Sequence, residues 1–156
     1  MAKIFLRQAA AYLHKPGLKE KIDNLVKAQI LDGLSNDEEV IIISHSLGTI
    51  VAYALMLRLR HKVNVKVLVT AGSPLGVEIV KRRLGPPLIC PTNVKKWINA
   101  SDPEDFVALE SKLNGQTFGC DQVINIDQID NGNEDAHDIR QYLAHGIVAK
   151  EIAPYL

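Results

Sequence analysis

Ser46 lies in the stretch Val40–Ile50, VIIISHSLGTI, where four β-branched residues run into a serine set among small residues. A serine hydroxyl is a weak nucleophile. It attacks a carbonyl only when an imidazole takes its proton and a carboxylate holds that imidazole in the right tautomer. Further along the chain, Asp102 and Asp105 follow one apolar run, and His137 follows another. A serine, a carboxylate and a histidine are the groups that acyl transfer requires. Each also has a plainer reading. Serine is a favoured helix N-cap. His45 stands next to Ser46, but in a tight turn its ring points away from the neighbouring hydroxyl. His14, His61 and His145 read as surface or helix residues, and Ser73 as part of a turn.

The elements that must position these groups alternate. Phe5–His14 reads as a helix, interrupted by Pro16-Gly17. Leu18–Leu34 is amphipathic, with Leu18, Ile22, Leu25, Val26, Ile30 and Leu34 at helical spacing. Gly33 and Ser35–Asp37 close it. Val40–Ser44 is a short unalternated strand of the kind covered on both faces of a parallel sheet. Ser46–Arg60 is helical, and Val63–Ala71 is a second strand ending in Gly72-Ser73-Pro74. A basic helix over Val77–Leu84, whose Lys81-Arg82-Arg83 run reads as a solvated face, precedes the Pro-rich loop Gly85–Pro91. Strands are expected at Val94–Ala100 and Gln122–Ile126, and a single helix from about Ala136 to Ile152. The fold class expected is α/β: three layers, with a small, mainly parallel sheet of about four strands and right-handed crossovers, all in one domain over residues 1–156.

In such sheets functional groups collect beyond the carboxyl ends of the strands. Ser46, Ser73, Asp102 with Asp105, and His137 occupy those positions in turn. Ser46 would be the nucleophile and His137 the general base and acid. Asp105 is favoured as the acid, and Asp102 remains the alternative. The small residues Ser44 and Gly48, two before and two after Ser46, would leave room for a strained turn. The Leu47 N–H, at the start of the following helix, would face the developing oxyanion.

VIIISHSLGTIVAYALM resembles the nucleophile elbow of α/β-hydrolase-fold serine hydrolases, G-x-S-x-G, with Ser44 in place of the first glycine. LVTAGSPLG resembles the strand and turn after the elbow in lipase-like members. WINASDPEDFVAL resembles the acid loop, and HDIRQYLAHGIVAKEI the histidine loop and last helix. AAYLHKPGLKEKIDNLV resembles the helix before the nucleophile strand in bacterial serine esterases. The resemblance covers nearly the whole chain. It implies a partial α/β-hydrolase fold, equivalent to the C-terminal half, and hydrolysis of small-molecule esters through an acyl-enzyme, with no cofactor. A thioesterase or acyltransferase would use the same groups.

One departure from that pattern is at the front. The family places several strands before the nucleophile strand, and a loop among them supplies a second oxyanion N–H, often within an H-G motif. Only helical sequence precedes Val40, with no H-G loop. Val40–Ser44 is therefore expected at a sheet edge, an aggregation hazard unless covered. A fragment, a covering N-terminal helix, or a homo-oligomer through that edge would each account for it. A truncated or degenerate hydrolase domain, serving as a binding or assembly module without catalysis, is the competing function.

The 156 residues carry 18 basic and 18 acidic side chains, a balance that does not mark a nucleic-acid or membrane-surface binder. No run approaches the ~18–20 apolar residues of a membrane span. The N-terminus lacks an apolar core followed by a small-residue cleavage site, and a cytoplasmic location is expected. Cys90 and Cys120 do not form a metal-type cluster and read as free buried thiols. The acidic loop DQIDNGNED invites a calcium reading. An EF-hand frame starting at Asp127 puts apolar Ile129 where an oxygen ligand is needed, so no metal is expected, and the loop reads as a solvated segment that places His137.

Overall fold

Four parallel strands form the centre of the molecule, in the order β1(Glu39–His45), β2(Asn64–Ala71), β3(Trp97–Ala100), β4(Val123–Ile126). The structure is a computed structural model. It describes residues 2–35, 38–110, 112–132 and 135–156, with side chains from residue 7 onward. Among the described residues six α-helices accompany the sheet: α1(Ala2–His14), α2(Pro16–Leu31), α3(Leu47–Arg58), α4(Glu78–Leu84), α5(Ile139–Ala144) and α6(Gly146–Ile152). The fold is the expected small three-layer α/β arrangement.

The β-branched runs pair in register, with Ile43 opposite Val69 and His45 opposite Ala71. A register shift falls between Val40 and Ile41. Val40 pairs with Val65 and Ile41 with Val67, so Lys66 is the extra residue. That extra residue changes which face the side chains meet. Val65 joins one core, with Leu68, Trp97, Phe118 and the buried face of α3. Val67 joins the other, with Val69, Ile98, Tyr142, Val148 and Ile152. One core lies between the sheet and α1–α4. The other lies between the sheet and α5–α6.

Helix α1 is held to this framework by a buried carboxylate. Asp23 on α2 accepts hydrogen bonds from Tyr12 on α1, Lys19 on α2 and Arg58 at the end of α3, each at 2.6 Å. A buried charge needs this kind of full pairing to be tolerated.

Several sequence expectations are corrected. Pro16 does not separate helices by a loop. It occupies the first turn of α2, where its missing N–H costs nothing. Of the residues expected to close that helix, Asn36 and Asp37 lie outside the described residues. Val94 forms only an isolated bridge to Val65, and regular pairing in β3 begins at Trp97. The single last helix is two, because His145 takes an extended conformation (φ −66°, ψ 123°) that ends α5 and caps α6. Cys90 and Cys120 are not free thiols but a disulfide, with their Cα atoms 4.9 Å apart. The loop after α4 and the turn before β4 meet there, a long-range contact that cysteine spacing does not encode.

Among the described residues β1 is an edge strand, paired to β2 alone. Ile43 on it is 46% exposed. No helix among the described residues is long and apolar enough to cross a membrane.

Candidate active site

β1 delivers Ser46 to a turn with φ 55° and ψ −130°. Among the described residues it is the one non-glycine with positive φ. Holding an L-residue there costs about 1–3 kcal/mol and persists only when the surroundings over-determine it. They do so through the backbone. The Ser46 N–H donates to Ala71 O at 3.1 Å. Its carbonyl accepts from the Thr49 hydroxyl at 2.7 Å, and Thr49 in turn accepts from Ser73 at 2.9 Å. Ser73, read from sequence as a turn residue, is buried and accepts from the Leu75 N–H.

Ser46 precedes α3 but its side chain makes no capping bond. Its Oγ lies 2.9 Å from His137 Nε2. On the far side of the ring, His137 Nδ1 lies 2.8 Å from Asp105 Oδ2. An ionised carboxylate only accepts, so Nδ1 carries the proton and Nε2 is free to accept from Ser46. His137 itself sits in the loop before α5, where Asp138 caps that helix by accepting from the Arg140 N–H. The loop residues Asn133 and Glu134 lie outside the described residues.

Asp105 is fully buried. Burial by itself raises its pKa. Hydrogen bonds from His137, from the Tyr142 hydroxyl at 2.7 Å and from the Val107 N–H at 2.9 Å outweigh burial and hold it below the ordinary carboxylate value. Asp102 is buried too, but both its oxygens are engaged elsewhere. Oδ1 accepts from the Glu104 N–H at 2.7 Å and Oδ2 from the Asn131 N–H at 2.6 Å. It ties the loop after β3 to the loop after β4, and Asp105 is the carboxylate that meets His137.

Three further contributors have weaker sequence signals. Tyr142 on α5 bridges the two aspartates: its hydroxyl donates to Asp105 and accepts from the Asp102 N–H at 3.1 Å. A tyrosine at helical spacing reads as core, and nothing local marks its hydroxyl. Gly72, at φ 53°, lies directly beneath the relay. A Cβ there would stand 2.8 Å from Asp105 Oδ2 and 3.0 Å from His137 Nδ1. A glycine ending a strand is the one signal available for it. His45 packs its ring 4.4 Å from that of His137. Burial, and then the neighbouring His137, push its pKa below the ordinary value.

The small residues of the elbow are only partly explained by space. A Cβ at Gly48 would meet nothing within 4 Å, so room is not what calls for glycine there. Ser44 donates to Val69 O at 2.7 Å and ties β1 to β2 just before the turn. Leu47 is the first residue of α3. Its N–H has no intrahelical acceptor and sits at the positive end of the helix dipole, which suits it to a developing oxyanion next to Ser46. Among the described residues no group of three or more His, Cys, Asp or Glu side chains could hold a metal ion.

No protein-family model, curated protein sequence or solved structure matches the chain.

Proposed function

We propose that this chain is a serine hydrolase of the α/β-hydrolase type, acting on carboxylic esters through an acyl-enzyme. The observation that carries the proposal is the continuous relay Ser46–His137–Asp105, with contacts of 2.9 and 2.8 Å, built on a strained serine that makes no cap bond. In the proposed cycle Ser46 Oγ attacks the ester carbonyl carbon and its proton passes to His137 Nε2. The Leu47 N–H stabilises the oxyanion. The intermediate collapses, His137 protonates the departing alkoxide, and the alcohol leaves with the acyl group on Ser46. Water then attacks that ester, gives a proton to His137, and the carboxylic acid departs as Ser46 regains its hydrogen. Asp105 keeps His137 oriented throughout and stabilises its charged form.

A fluorophosphonate probe tests this reading. Labelling at Ser46, absent in Ser46→Ala, is expected. A folded protein that takes no label overturns it.

A non-catalytic assembly module is the second reading, favoured by the exposed Ile43 on the β1 edge. Self-association through that edge would cover it, and a mass that does not change with concentration in light scattering would count against such an oligomer. Hydrolysis of a p-nitrophenyl ester, lost in both Ser46→Ala and His137→Ala, separates enzyme from module. As to location, the Cys90–Cys120 bridge opposes the cytoplasmic expectation, since disulfides persist in oxidising compartments.

A further inference from the structure

We infer that the cavity walled by α1, α4 and the loops after β2 and β3 receives the hydrocarbon chain of the ester, which makes the substrate class esters with an extended, uncharged apolar chain. The inference rests on the hydrolase reading above.

The cavity has a volume of about 420 Å³, within the ~300–1,000 Å³ of small-molecule sites. Leu13 from α1, Val80 from α4 and Val107 from the loop after β3 contribute to its wall, and among the described residues the polar side chains on it are His14 and Arg83. Apolar side chains also gather where it opens: Ile79 is 45%, Phe106 37% and Leu109 71% exposed. A run of exposed apolar groups around a concave surface marks a ligand groove. The wall is firmly held, because the Asp23 cluster pins α1 to α2 and α3.

Phe106 connects this cavity to the chemistry. It lines the cavity, adjoins Asp105 in sequence, and places its ring centroid 6.1 Å from that of His137. Pro74, also on the wall, follows Ser73, whose hydroxyl holds Thr49 against the Ser46 carbonyl. A chain leaving the reacting ester past Phe106 would enter apolar space at once. Each methylene buried there strengthens binding about fourfold at most. The chain could belong to the acyl group or to the alcohol, and the two are distinguished by which half of the ester is lengthened.

The test compares kcat/KM for p-nitrophenyl acetate, butyrate and octanoate, and separately for ethyl and octyl acetate. It adds calorimetric binding of n-octanol to Ser46→Ala protein. A rise of about tenfold or more along one series is expected, with the responding series identifying the half that enters. Ala10→Trp fills the cavity from an exposed position on α1, and Leu109→Ser alters the mouth at a solvent-facing site. Each is expected to cut the long-to-short ratio at least about fivefold. Turnover that is flat along both series overturns the cavity assignment and leaves the hydrolase reading standing. Octanol binding that Ala10→Trp or Leu109→Ser weakens, without turnover of any ester, leaves the cavity standing and overturns the hydrolase. Neither turnover nor octanol binding overturns both.

Discussion

Tyr142 and His137 share one oxygen. The Tyr142 hydroxyl donates to Asp105 Oδ2 at 2.7 Å, and the same Oδ2 faces His137 Nδ1 at 2.8 Å. The tyrosine therefore sets where that oxygen points and helps keep the buried carboxylate charged. Tyr142→Phe removes the donor and also strands the Asp102 N–H, which it accepts from. A loss of about 2–3 kcal/mol in stability is expected, in line with a buried bond to a charged group. The acid limb of the stability–pH profile is expected to move upward, since Asp105 loses one of the bonds that offset its burial. A profile that stays in place while stability falls would assign Tyr142 a packing role only.

Ser46 stores strain that a glycine would release. Ser46→Ala and Ser46→Gly both remove the hydroxyl, but only glycine is at ease at φ 55°. The glycine variant is expected to be more stable than the alanine variant by about 1 kcal/mol, the strain less the entropy of a freer unfolded chain. Urea denaturation of the two proteins measures the difference directly. Equal stabilities would mean that the turn is not under strain.

Gly72 tolerates no side chain. Alanine there would carry a positive φ and push against Asp105 and His137. A stability loss of about 1–2 kcal/mol from the backbone alone and a fall of roughly 10² in kcat/KM from displacement of the relay are expected. An unchanged kcat/KM in Gly72→Ala would show that the relay does not depend on this close approach.

His45 makes stability depend on pH. Its folded pKa is depressed below 6.5, first by burial and then by His137. As pH falls, the unfolded chain therefore takes up this proton before the folded one does. The contribution of His45 is complete above 6.5 and is lost as pH drops from there through the lower folded value. His45→Gln is expected to flatten the stability–pH curve just below 6.5. Chemical denaturation across that window provides the check, and an unchanged slope would exclude His45 as its source.

The bridge between Cys90 and Cys120 closes a loop of 30 residues. Loop-closure entropy of that size corresponds to about 3–4 kcal/mol. Thiol titration of denatured, unreduced protein is expected to find no free thiol, and reductant is expected to lower the denaturation midpoint accordingly. Two titratable thiols would remove the bridge from the account.

Local chemistry determined a good deal of this molecule. The β-branched runs at Val40–Ile43 and Val65–Val69 mark strands because such side chains pack well on a pleated, covered surface. Alternation of these runs with helical periods indicates a parallel sheet, and a parallel sheet puts Ser46, the two aspartates and His137 on one rim. Other choices were left to the tertiary structure. Asp102 and Asp105 lie three residues apart in one polar loop, and no spacing rule separates them. They part only in space, where one spends its two oxygens on backbone N–H groups of its own loop and of the loop after β4, and the other meets an imidazole 32 residues away. Tyr142, Gly72 and the paired cysteines were hidden for the same reason. Each acts on a partner distant in the chain, and periodicity reports which way a side chain faces, not what it will find there. Ser46 and His137, 91 residues apart, are brought to hydrogen-bonding distance only when both faces of the sheet are packed.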